Sequence, residues 1–492
     1  MIRLASITTA LAIAFCAQAA QADPANPLSF DKAMRCTTDP AAATTVPGWT
    51  IVAGSPALDC ANATPAHWPA ANTPRVVIAS GPWGTSTLER LIPLEQTAAG
   101  KPVKFVLSGL FGALGDGQVH AVLDAQFLDE AGRKIGPSGA LTGPEPQAKD
   151  KSIQFALLTS SGVIPRKART LQLSLHLPGI PQPGTTNGKV ATYVAGLQLQ
   201  TDPALSFPPV TAPDAHVPRF DHVFLIIMEN TDYTQVIGDK INAPYMNQLA
   251  ARGTLLANYQ AVYHPSDENY MAIAGGEGLI VGPLYFPNIH IAAPHLGDLL
   301  EAAGKSWKTY EEGMGTPCNT TTKFDKNYEP DDTPFINFTN IQNNPARCRA
   351  HMVDLSEWAK DLRSPATTPA FAWLAADDYN DGELPGNGSP KSLRVQDQWL
   401  KVTLAPLFAS SAWRNQKSLL ILTWDESDTV LNNHIATIVI GSQGMVKVGY
   451  VSQRRYDHYS SARTIEAALG LPNLTSNDGF ATAIDDAFTA NR

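Results

Sequence analysis

The sequence predicts a two-domain chain: an N-terminal all-β sandwich, then a C-terminal α/β sandwich built on a mainly parallel sheet. Three observations predict it. Short strand-like runs broken by Gly, Pro, Ser and Asn clusters fill residues 23–205. Four prolines fall within residues 206–219, a density that prevents helix and stiffens a linker. From Phe220 onward, continuous apolar runs alternate with amphipathic segments, the pattern of a covered parallel sheet.

Residues 1–22 read as a targeting segment: Arg3, an apolar stretch from Leu4 to Ala17, and Ala20-Gln21-Ala22 as a small-residue cleavage site. Phe15 stands before Cys16 where a lipid-attachment signal needs a small residue. No later run of about 20 apolar residues follows, so a secreted or periplasmic chain with no transmembrane segment is expected. Beyond the leader four cysteines remain, an even number that suggests two disulfides. Of the three pairings, sequence neighbours are expected: Cys36–Cys60 and Cys318–Cys348. The cysteine spacing excludes a thiolate zinc site. With 36 basic against 45 acidic residues the net charge is −9, which argues against non-specific nucleic-acid binding.

In the first half, strand candidates are Val103–Leu107, Val119–Phe127, Ile153–Leu158, Leu171–Leu177 and Val190–Leu199. Gly48-Trp49-Thr50 and the stretch Phe127 to Gly136 resemble parts of galactose-binding-like jelly-roll domains. Trp49, Trp68 and Trp83 could stack on a sugar, giving a carbohydrate partner to this domain, or could be core aromatics.

In the second half, residues 220–492, six consecutive apolar residues after His222 stop at Glu229-Asn230. That is a strand buried on both faces, delivering two polar side chains to the carboxyl edge of a sheet. Ala243–Arg252 and His295–Ala303 read as helices, the second ended by Gly304. Ser306–Tyr310, Ala370–Leu374, Ser418–Trp424 and His434–Gly441 read as strands, and Arg463–Leu469 as the last helix. Pro330–Asn344 reads as a polar surface loop at the site's rim.

Four clusters in this half carry oxygen or nitrogen donors: Glu229-Asn230, Ser266 with Asn269, Asp425-Glu426 after a second apolar strand, and His458. Singly, each has a structural explanation as a solvated strand end, a helix cap or a hydrogen-bonding histidine. Together, two buried strands that both end in an acid beside a second polar residue put these groups on one edge. A serine at the start of a helix adds free backbone N–H groups for an anion. Oxygen donors suit Mg²⁺, Ca²⁺ or Mn²⁺, and carboxylates also bind Zn²⁺.

Glu229-Asn230-Thr-Asp-Tyr233, His264-Pro-Ser266-Asp-Glu-Asn269-Tyr270, Thr423-Trp-Asp425-Glu426 and His458-Tyr-Ser-Ser-Ala-Arg463 occur in the order of one family. The chain from about residue 220 to 472 resembles the phosphoesterase family of secreted microbial acid phosphatases and phospholipases C, related to the alkaline phosphatase superfamily. The resemblance implies an alkaline phosphatase-like fold and hydrolysis of a small phosphate ester or a phospholipid. It implies Ser266 as the nucleophile, Asn269 on a phosphoryl oxygen, and one or more divalent metal ions on Glu229, Asn230, Asp425 and Glu426. It also implies His458 near the chemistry.

His264 could orient Ser266 or belong to the turn, and His434 could reach the pocket or only close a strand end. Asn380-Asp381 match an Asn-Asp-x-His-Asp segment of many relatives, but Glu383 stands where the histidine is expected. Glu383 would be a general acid only if burial or neighbouring carboxylates raised its pKa, and otherwise a loop residue. Three functions are therefore weighed. They are a metal-dependent phosphatase working through a phosphoseryl intermediate, a phospholipase C type diesterase, and a glycan- or envelope-binding protein with a degenerate catalytic domain.

Overall fold

The computed structural model describes residues 46, 48–59, 77–79, 85–94, 103–113, 120–143, 154–181, 188–189, 192–201, 214–278, 286–321, 327–428 and 433–489. The targeting segment, Cys36–Cys60, Trp68, Trp83 and most of the proline-rich stretch lie outside them.

Strict alternation of apolar and polar residues builds the first half. In Thr170–Leu177, Leu171, Leu173, Leu175 and Leu177 are buried while the residues between them are partly exposed. This strand is inside a six-stranded antiparallel sheet ordered Thr50–Ala53, Ser86–Pro93, Thr170–Leu177, Val122–Leu128, Lys134–Thr142, Tyr263–His264. A second antiparallel sheet runs Ala57–Asp59, Val77–Ala79, Thr192–Thr201, Val103–Ala113, Gln154–Ile164. Leu123, Leu173 and Leu175 of the first sheet share one core with Phe105, Leu107 and Phe111 of the second. Trp49 is buried in that core, the second of the two readings its sequence leaves open. The likeness to galactose-binding-like domains remains one of sequence.

The six-stranded sheet also takes in two residues from the other half. Tyr263 pairs with Gly139 and His264 with Ser138, so the segment just before Ser266 is an edge strand of the N-terminal sheet. Tyr263, Ala272 and Tyr459 complete the N-terminal core.

The second half is organised on an eight-stranded mixed sheet ordered Met352–Asp354, Trp307–Glu311, Phe371–Ala375, His222–Met228, Ser418–Trp424, His434–Gly441, Thr254–Gln260, Tyr450–Tyr456. Every pairing is parallel except the two made by His434–Gly441, so that strand alone runs against the rest. All seven residues of His222–Met228 are buried, as are all seven of Ser418–Trp424, which requires cover on both faces. Helix His458–Leu469, capped by Asp457, packs on the His222–Met228 strand and against helix Asp267–Gly275. It starts five residues earlier than its apolar pattern suggests because the Asp457 carboxylate takes the Ser460 N–H.

Pro330–Asn344 departs from the expected surface loop. Phe335, Ile336 and Phe338 are buried, and Phe335 packs on Trp307, Trp373 and His295. Short 3₁₀ turns at Pro330–Asp332 and Pro334–Asn337 carry these aromatics under the sheet edge. The Cys318–Cys348 disulfide is present as expected. Among the described residues no helix is long and apolar enough to cross a membrane.

Gly253 precedes the Thr254–Gln260 strand, and a Cβ there would lie 2.2 Å from the Val439 carbonyl oxygen. Gly253→Ala is expected to cost about 1–3 kcal/mol, because backbone must move to admit the methyl. Urea unfolding checks it, and an unchanged midpoint would mean the two strands are not held this closely.

Candidate active site

Register puts the site together. Met228 is paired with Trp424, so the residues that follow each, Glu229-Asn230 and Asp425-Glu426, leave the sheet side by side. The Asn230 N–H donates to Asp425 Oδ1 at 2.9 Å, and the Asp425 N–H to the Met228 carbonyl at 2.9 Å. Ser266 stands at the N-cap of helix Asp267–Gly275 without capping it. Its hydroxyl donates instead toward Glu229 Oε2 at 3.2 Å and lies 3.5 Å from Asn230 Oδ1. Glu426 pairs with His264 Nδ1 at 2.7 Å. Ser266, Glu229, Asn230, Asp425, Glu426 and His264 are thus brought together.

Other expected residues are close but committed elsewhere. Asn269 is fully buried; its Oδ1 takes the N–H groups of Val262 and Tyr263, at 3.0 and 2.9 Å, and its Nδ2 donates to the Tyr263 carbonyl at 3.0 Å. These bonds make Asn269 a residue that shapes the loop before Ser266. His458 is likewise buried. One ring nitrogen lies 3.1 Å from the Tyr259 hydroxyl and the other 2.6 Å from the Asp425 carbonyl. Burial lowers its pKa to about 4, so it is a neutral support for the Asp425 turn rather than a reacting group. His434 hydrogen-bonds the Ala257 carbonyl at 2.9 Å and stacks on Tyr233; it closes a strand end and is corrected from the pocket.

The rim of the site holds groups that the motifs did not single out. Tyr270, one helical turn after Ser266, donates its hydroxyl to Glu229 Oε1; the i, i+4 spacing on one helix face was the legible signal for it. Asp332 and Asp378 join Asp381, each offering a ligand atom within 4.8 Å of the others. Asp332 arrives on the 3₁₀ turn that sequence patterning assigned to a loop, and no local signal marks it. Asp381 is tied to the first strand, since its carbonyl takes the Glu229 N–H at 3.4 Å. The turn that follows needs Gly382 at φ +113°, where a Cβ would lie 2.0 Å from Gln396 Nε2. Glu383, next in line, is exposed at the rim.

The electrostatics are those of crowded acids. Burial first, then Glu383 and Glu426, push the Glu229 pKa up to about 8, against the opposing Tyr270 hydrogen bond. Asp378 is raised to about 7 by burial and by Glu383. Asp425, Asp381 and Asp332 are all raised well above the carboxylate range, chiefly by burial, with Glu229 or one another as the next cause. Among the described residues the ion pair that answers this charge is His264 with Glu426. Asp378 keeps a buried carboxylate oxygen with no partner. Clustered oxygen donors fit a hard divalent cation, and Glu229, Asn230, Asp425 and Glu426 beside Ser266 form a set able to hold one.

Comparison with known proteins bears on this geometry. The model of the Phosphoesterase family matches residues 239–472. The chain is 31% identical over 269 residues to a phosphatidylinositol-3-phosphatase of Mycobacterium tuberculosis, covering 54% of this chain and 81% of that protein. The chain belongs to the Phosphoesterase family. It is also 29% identical over 282 residues to a probable acid phosphatase of Kluyveromyces lactis, 55% of this chain and 63% of that one. With an acid phosphatase of Aspergillus fumigatus it shares 26% identity over 263 residues, 52% and 56% of the two chains. Against those two relatives it spans somewhat over half their length. A solved protein in the alkaline phosphatase superfamily from Vibrio parahaemolyticus aligns over 59% of this chain and 75% of its own, at 14% identity and TM-score 0.41. The Phosphoesterase match begins after the first strand, yet Glu229 and Asn230 at that strand's end meet Ser266 within the matched region.

Asn269→Ala would orphan two buried N–H groups, at about 1–3 kcal/mol each. Denaturant melts should show that loss for Asn269→Ala. They should show less than about 1 kcal/mol for Ser266→Ala, whose hydroxyl caps nothing and makes only long contacts. Equal losses in the two variants would refute the division between support and reacting group.

Proposed function

We propose that this chain is an exported, metal-dependent phosphoric-ester hydrolase that acts on phosphomonoesters through a phosphoseryl intermediate. The observation that carries the reading is the Ser266 hydroxyl. It stands at a helix start, makes no cap, and faces Glu229 and Asn230 at the carboxyl edge of the sheet. In this reading Ser266 Oγ attacks phosphorus, the ester O–P bond breaks, and the alcohol leaves with a proton. The serine proton leaves by way of Glu229 Oε2, 3.2 Å from the hydroxyl, and passes to the departing alkoxide oxygen, so the carboxylate ends the step as it began. Water then attacks the phosphoserine, the Ser266 Oγ–P bond breaks, and the proton lost by that water returns through the same carboxylate to Ser266 Oγ as phosphate leaves. A divalent cation, held by Glu229, Asn230, Asp425 and Glu426, would neutralise charge on the phosphoryl oxygens and make the serine a better nucleophile. Export rests on the leader-like residues 1–22.

The names of the relatives, acid phosphatases and a phosphatidylinositol-3-phosphatase, favour a monoester over the diester of a phospholipase C. The intact Ser266, Glu229 and Asp425 cluster speaks against a degenerate domain.

Para-nitrophenyl phosphate hydrolysis is expected to need a divalent metal and to fall by roughly 10³-fold or more in Ser266→Ala. Equal rates in mutant and wild type would remove the nucleophile. Preference for para-nitrophenyl phosphorylcholine would move the reading to the diesterase.

The raised carboxylates also set a pH dependence. For Glu229 the ordinary value is 4.5 and the folded value about 8. Below 4.5 both states are protonated, and as pH rises toward 8 the unfolded chain loses a proton that the folded chain keeps, so stability falls. Chelator-treated protein should lose melting temperature across that window, and a divalent cation should restore more near pH 8 than near about pH 5. A metal effect independent of pH would separate the cation from these acids.

A further inference from the structure

Between the two halves lies a cleft of about 550 Å³, within the roughly 300–1,000 Å³ of small-molecule sites. One wall is the outer face of the N-terminal six-stranded sheet. There Asp124 pairs across strands with Ser174, and Gln126 with Gln172, so their side chains form a polar ladder between rows of buried leucines. Such a face is by default a solvated one. Here it is not left open. Gln260, His264, Asn433 and Arg455 of the catalytic half form the opposite wall.

Two of these opposite residues belong to the loops of the active site. His264 lies two residues before Ser266; its Nδ1 is held by Glu426, and its Nε2 has no partner. Asn433 donates to the Tyr263 carbonyl at 2.8 Å and takes the Ser427 N–H at 2.9 Å, joining the nucleophile loop to the Asp425-Glu426 turn. The lining mixes signs: Asp124, paired with His176 at 3.1 Å, and Glu89 stand with Lys134 and with Arg455, itself paired with Asp457 at 3.6 Å, and neutral amides and a hydroxyl lie between. Donors and acceptors in alternation, without one dominant charge, match a ligand rich in hydroxyls.

We propose that this cleft receives the polyhydroxylated alcohol of a phosphate ester, a sugar or cyclitol, with its phosphate directed past His264 toward Ser266. The proposal rests on the phosphatase reading for its chemistry but not for its binding. It gives the N-terminal half a share in substrate selection.

The test uses the full chain and two variants on the sandwich wall, Gln172→Leu and Ser174→Ala, whose melting midpoints are measured first. Glucose 6-phosphate, glucose 1-phosphate and myo-inositol monophosphate are compared with para-nitrophenyl phosphate. For the best polyol ester, kcat/KM is expected to fall about fivefold per lost hydrogen bond, while para-nitrophenyl phosphate stays within about twofold. Saturation-transfer signals from the same polyol ester on Ser266→Ala protein should weaken when either wall variant is added. Equal changes for both ester types, or none for either, overturn the cleft assignment and leave the phosphatase intact. Binding lost in the wall variants of a wild type that hydrolyses nothing upholds the cleft and overturns the phosphatase. Neither hydrolysis nor binding overturns both.

Discussion

The constraint on which the structure turns is the gathering of carboxylates at one edge of the large sheet. Glu229, Asp425, Glu426, Asp381, Asp378 and Asp332 meet there, most of them buried. Two unit charges 4 Å apart repel by about 4 kcal/mol even at an effective dielectric of 20. Burial raises the pKa of these acids, so each resists the charge its neighbours would add, and the backbone between them is fixed by hydrogen bonds that do not depend on charge. The Asp425 N–H on the Met228 carbonyl, the Asp381 carbonyl on the Glu229 N–H and the His458 ring on the Asp425 carbonyl are bonds of that kind. Beneath them Trp307, Phe335 and Trp373 form a rigid aromatic floor. That floor and those bonds are what let an unfavourable charge arrangement persist.

The serine is positioned by both halves of the chain. On one side the Asn269 amide gathers the backbone of Val262 and Tyr263. On the other, Tyr263 and His264 extend the N-terminal sheet, and the Tyr263 hydroxyl meets that of Tyr459 at 2.5 Å within the N-terminal core. The nucleophile therefore follows a segment clamped between two sheets. A rotation of one half against the other would be felt first at Ser266, two residues from the clamp. This coupling makes the N-terminal β-structure part of the architecture around Ser266.

Much of this was legible in the sequence. His222–Met228 and Ser418–Trp424 are unbroken apolar runs ended by acids, and that pattern alone placed Glu229 and Asp425 on one edge. The alternation in Thr170–Leu177 marked its buried leucines. What stayed hidden depends on contacts distant in the chain. The long helix Pro390–Ala409 carries Pro406 in its last turns, a residue that argues locally against helix. The segment Pro330–Asn344 looked polar at its ends, although Phe335, Ile336 and Phe338 form part of the floor. Asn269 and His458 have the residue types of a catalytic site, and only their filled hydrogen bonds distinguish support from reaction.

Glu383 shows where local matching stops being informative. By motif it occupies a histidine's place, and by position it is an exposed side chain at the rim, one step past a turn only glycine permits. The imidazole that stands nearest Ser266 in sequence is His264, held by Glu426 and braced by the N-terminal sheet. A rim carboxylate adds negative charge over Glu229 and Asp378, whereas a protonated histidine there would remove some. Replacing one by the other raises the electrostatic demand on whatever cation the site holds. The same replacement leaves the sheet-edge geometry untouched, because Glu383 makes no contact that positions Ser266. The departure from the family pattern therefore changes the field in which the chemistry would run, and not the frame that carries it.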